Sequence, residues 1–121
     1  MEKKFGLEHL DVYQKAVGIL DAAAVLSSEG PLGPLFAAKS AEVVTTLIDG
    51  LEAWPAEERK EALFRARRVA HHLRPFIEAG ARNGLFDEAE AKRLVGEVES
   101  VSKMLYAMAK NAGAKKEAVT A

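Results

Sequence analysis

The sequence contains no cysteine. Disulfide staples and thiolate metal sites are excluded, and a reducing compartment fits. It also lacks long apolar runs: the longest are a few residues, as in AAAVL at 22–26. A membrane-spanning helix needs about 20 apolar residues. The opening MEKKFGLEHL has no apolar core of the signal-peptide kind. A soluble, cytoplasmic protein without membrane contact is expected. Aromatic residues are few, 7% of the chain, so each one off a core stripe is informative. β-Branched alternation is missing, which argues against strands. G-x-S-x-G, P-loop and strand-linked G-x-G-x-x-G motifs are all missing too.

What is present is helix-forming. Ala, Leu, Glu, Lys and Arg dominate, and apolar residues recur at three-to-four spacing almost throughout. The pattern predicts four helices in one domain over residues 1–112, followed by a flexible tail over 113–121. The first helix spans about 8–27. Val12, Ile19 and Leu26 form one seam; Leu10, Val17 and Ala24 form another, with Tyr13, Ala16, Leu20 and Ala23 between them. So wide an apolar face can touch more than one neighbour. SSEGPLGP at 27–34 breaks the chain. The second helix, about 35–53, buries Phe36, Ser40, Val43, Val44, Leu47 and Leu51. Pro55, Glu57 and Glu58 open the third, which runs to about Arg82, where Asn83-Gly84 supplies a left-handed stop. Asp87 and Glu90 read as a capping box for the fourth helix, which runs to about Asn111 on a stripe of Leu94, Val98, Val101, Leu105 and Met108. Short links make sequential helices antiparallel neighbours. The expected fold is all-α, an antiparallel up-down four-helix bundle.

Charge is uneven although the net is only −1. Residues 1–54 carry four basic and eight acidic side chains, while residues 55–86 carry seven basic and four acidic. The basic excess centres on RARRVAHHLRP at 65–75, which admits three readings: a phosphate-gripping strip, a metal site on two histidines, or the wet side of a helix. On a wheel, Leu63, Ala66, Val69, Ala70, Leu73, Phe76 and Ile77 gather on the core side. Lys60, Arg67, Arg68, His71 and Arg74 gather opposite, which a solvated face alone explains. Phe64 falls within that cationic face, exposed in a monomer, and Tyr106 falls off the core stripe of the fourth helix. Both are candidate contacts between subunits, as are Leu10 and Val17. Lys60, Arg65, Arg67, Arg68, His71 and Arg74 are candidates for nucleic-acid phosphates, with Phe64 or His71 against bases. Pro75, inside the third helix, predicts a kink near 71–75. His71 and His72 point about 100° apart on a helix, unlike the i, i+4 pair of a metal site. No carboxylate falls on a core face, and Ser40 and Ser102 read as small residues that let helices approach. No catalysis, cofactor or small-molecule substrate is expected.

FGLEHLDVYQKA at 5–16 resembles the opening of the four-helix-bundle proteins found in intervening sequences of 23S rRNA genes. Phe5, Leu7, Val12, Tyr13, Gln14, Lys15 and Ala16 carry the likeness. ARNGLFDEAEAKRLVGEVESVSKMLYAMAKN at 81–111 is similar to that family's turn, acidic helix start and closing Lys-Met-Leu helix. VVTTLIDGLEAW at 43–54 departs from the family's usual second helix and points toward the wider group that includes the accessory variability protein of diversity-generating retroelements. The resemblance implies a homopentamer of four-helix bundles with a central channel and no established catalytic activity. The accessory protein is basic and works with a reverse transcriptase and nucleic acid. Here only the cationic face of the third helix offers local support for that second partner.

Overall fold

The computed structural model describes residues 10–120, with side chains described through residue 112. All the regular structure in this range is helical. Helix α1 spans Asp11–Val25 and α2 Leu32–Glu52; α3 spans Ala56–His71 and α4 Leu73–Arg82; α5 spans Glu88–Thr120. Segments α3 and α4 are the expected third helix broken at His72. Pro75 has no N–H to give the carbonyl of His71, so the ladder fails there. The His72 N–H instead bonds the carbonyls of both Arg68 and Val69, at 3.2 and 3.0 Å.

Local chemistry sets the other boundaries. The first helix ends at Val25 as the N–H groups of Leu26 and Ser27 tighten onto Ala23 and Ala24. Helix α2 starts at Leu32, earlier than expected, because Pro34 fits a first turn whose N–H groups need no intrahelical partner. Pro55 stands just before α3, after a cis Trp54–Pro55 peptide. Glu57 and Glu58 lie in the first turn of α3, and Arg68 in its last, each matching the dipole. Gly84, at φ 81°, closes α4: its N–H bonds Ala81 and the Leu85 N–H reaches back to Gly80 at 2.7 Å. That is a Schellman turn. Asp87 caps α5 by accepting the Glu90 N–H at 2.8 Å, but the Glu90 carboxylate pairs with Arg93 and does not complete the box. The α5 backbone stays helical past Asn111 to Thr120. The expected tail over 113–121 falls where side chains are not described, and Phe5 and Leu7 lie outside the described residues.

Helix α1 packs on α2 and α5, and α3 packs on the same two from the other side. The core between them holds Val12, Ile19, Phe36, Val43, Leu47, Leu63, Val69, Leu73, Ile77, Leu94, Val98, Val101 and Leu105. Phe36 and Phe86 meet edge to face at 5.6 Å between ring centroids. Gly50 lets α2 approach α3 closely, since a Cβ there would sit 2.7 Å from the Leu63 side chain. No described helix is long and apolar enough to cross a membrane.

Candidate functional site

Helices α3 and α5 meet along a seam that the wheel does not show. Phe64, Arg67, His71 and Arg74 recur at three-to-four spacing and so share one edge of α3 and α4. Glu99, Ser102, Tyr106 and Lys110 share an edge of α5 by the same spacing. The two edges zip together. Arg74 Nη1 stands 3.5 Å from Glu99 Oε2. Arg67 Nε donates to Ser102 Oγ at 3.1 Å, and His71 Nε2 lies 2.6 Å from the same oxygen. The Phe64 and Tyr106 rings pack at 5.9 Å between centroids. Arg67 Cζ and Lys110 Nζ both lie over the Tyr106 ring, at 5.1 and 5.6 Å. A ring face is the negative end of its quadrupole, so it draws cations even at a wet surface.

Two expectations change. Phe64 is not exposed in the single chain: it is half-buried, against the core and against Tyr106. Arg67, His71 and Arg74 do not simply face water opposite the core. They lean toward α5, because a helix with two neighbours has seams as well as an inner and an outer side. Ser102 is more than a spacer. It is 6% exposed, and its hydroxyl is the meeting point of Arg67 and His71. Its small size hid this role, which shows only when α5 is set beside α3.

The seam is short of negative charge. His71 is held below its ordinary value of 6.5, first by burial and then by Arg67, Arg74 and His72. With His71 neutral, the Ser102 hydroxyl accepts from Arg67 and is free to donate to Nε2. The other cationic candidates stay outside the seam. Lys60, Arg65 and Arg68 are exposed and have no hydrogen bond or ion pair among the described residues. Leu10, just before α1, and Val17 on it are half-buried, and α1 does not touch α3. The structure therefore does not bring them to Phe64.

Elsewhere an open groove of about 580 Å³ lies between the α1–α2 loop and the α4–α5 turn, lined by Glu29, Pro31, Leu32, Asn83 and Leu85 among others. It offers a single carboxylate and no nucleophile. Among the described residues no three His, Asp or Glu side chains stand together to hold a metal ion. No protein-family model, curated protein or solved structure matches the chain.

Proposed function

We propose that this protein is a non-catalytic, self-associating four-helix-bundle module, built as an up-down antiparallel bundle. The contacts along α3, α4 and α5 support the alternating directions. Arg74 meets Glu99, His71 meets Ser102 and Phe64 meets Tyr106, so one number falls as the other rises. The short link from α2 to α3, residues 53–55, supports a reversal there.

The observation that carries self-association is Tyr106. It is 44% exposed, seated on Phe64 and flanked by Arg67 and Lys110. Aromatic and arginine side chains in a packed patch are the usual energetic centre of a protein contact. Leu10 at the start of α1 and Val17 within it are candidates for the neighbouring protomer's contact. The resemblance to intervening-sequence proteins suggests five subunits. Light scattering at micromolar concentration tests the reading. A mass several times the 13.1 kDa chain is expected, and a strictly monomeric mass refutes it. A cytoplasmic home belongs to the same proposal.

One observation favours a second reading, an accessory protein that binds nucleic acid. Lys60, Arg65 and Arg68 stand exposed and without an ion pair among the described residues, beside a seam that already contains Arg67 and an exposed aromatic ring. Single-stranded RNA binding that weakens steeply as salt rises above about 50 mM would support it, because counterion release drives such contacts. No affinity at low salt ends it.

A further inference from the structure

Positive charge gathers around Ser102 without an equal number of acids. The groups acting on His71 are Arg67 on its own helix and Arg74 and His72 at the break into α4, and Arg74 in turn pairs with Glu99 on α5. The Arg74–Glu99 pair is long, 3.5 Å, and about half exposed on both sides. Arg74 Nε is buried with no hydrogen-bond partner among the described residues. Arg67 spends Nε on Ser102, and neither of its Nη groups has a hydrogen-bond partner among the described residues. Arginine cannot shed its proton, so the strain of like charges falls on the histidine.

We propose that Arg67, His71 and Arg74, backed by the buried hydroxyl of Ser102, form a binding site for a compact dianionic oxyanion of the phosphate-monoester class. The spacing i, i+4, i+7 sets the three along one edge over two helical turns. Two guanidinium forks suit tetrahedral oxyanions, which accept paired N–H donors. One carboxylate against two arginines leaves a positive site, and a dianion supplies the missing charge. The anion also offsets the repulsion from Arg67 and Arg74 that, after burial, holds the His71 proton affinity down. Binding is therefore coupled to proton uptake at Nε2. That N–H then donates to Ser102 Oγ, and the Ser102 O–H turns away from the ring.

The test is a histidine titration by NMR, with the His71 signal assigned from His71→Gln. Sulfate is the first probe because it stays dianionic as pH changes; chloride at equal ionic strength is the control for plain screening. Sulfate is expected to move the His71 titration to higher pH than chloride does. By linkage, its binding tightens as pH falls through the His71 titration, about tenfold in all for each pH unit by which sulfate raises that titration. Phenyl phosphate competes with sulfate. Arg74→Gln weakens binding several-fold, as does Arg67→Gln, while Arg68→Gln, exposed and off the edge, leaves it unchanged. Arg74 makes only a half-exposed ion pair, so its variant tests the site even if Arg67→Gln disturbs the fold. The proposal is overturned if chloride shifts His71 as far as sulfate, or if Arg68→Gln costs as much as Arg74→Gln. It is equally overturned if dimethyl phosphate, a singly charged diester, competes as well as phenyl phosphate. A salt-steep affinity for RNA that Arg65 and Arg68 share equally with Arg74 would mark a polynucleotide face and not a compact site.

Discussion

Ser102 and His71 show how one small side chain can govern an ionisable neighbour. The hydroxyl meets the imidazole Nε2 and also accepts from Arg67 Nε. Burial and the adjacent guanidinium groups lower the affinity of His71 for a proton in the folded chain. In the unfolded chain the ring returns to an ordinary value of 6.5. Between the two values the unfolded state binds more protons, so stability rises with pH. The contribution is fully present above about pH 6.5 and is lost as pH falls through the lower, folded value. Because the ring is largely exposed, the effect is small. Thermal melts of the native chain and His71→Gln, run in parallel from about pH 8 to about pH 5, isolate it from the carboxylates. The native chain should lose more stability than the variant as the medium acidifies. Parallel curves would show that the ring feels no such field.

At the scale of elements, the ends of the helices do more specific work than their middles. Gly84 occupies a left-handed conformation that a Cβ disfavours, although the space beside it is open. Gly84→Ala therefore costs backbone strain without a clash, about 1 kcal/mol, read as a lower denaturant midpoint with an unchanged slope. Asp87→Ala removes the acceptor for the Glu90 N–H and should cost about 1 kcal/mol by the same measurement. Both signals could be read in the letters NGLFDEAE, because turn chemistry is local. The break at His72 was legible for the same reason, since Pro75 names the carbonyl it leaves unpaired. The seam was not legible. A helical wheel gives each residue's angle about its own axis and says nothing about where a second neighbour lies. Arg67 and Arg68 are adjacent letters of one type, yet Arg67 lies against Ser102 and Tyr106 while Arg68 is exposed. Only the position of α5 separates them.

Across the whole molecule, the question is which apolar groups serve the fold and which remain for a partner. The stripes of Leu63, Val69, Leu73 and Ile77 on one side and Leu94, Val98, Val101 and Leu105 on the other are sealed in the core, as their periodicity requires. Phe64 and Tyr106 divide the remaining work. Phe64 packs on the core from the seam, so Phe64→Glu buries part of a carboxylate without a partner. It should destabilise the chain by about 2 kcal/mol or more, and any loss of assembly it causes would be confounded with unfolding. Tyr106 lies further out, between Arg67 and Lys110, where a carboxylate finds two cations. Tyr106→Glu should keep its helical circular dichroism and nearly its melting temperature, while its mass by light scattering falls to that of the monomer. Aromatic anchors in a contact are worth about 2 kcal/mol or more each, enough to shift a micromolar equilibrium some thirtyfold toward free subunits. If Tyr106→Glu assembles like the native chain, the contact lies elsewhere on the surface. The exposed Trp54 between α2 and α3, at 78% exposure, is then the next residue to replace.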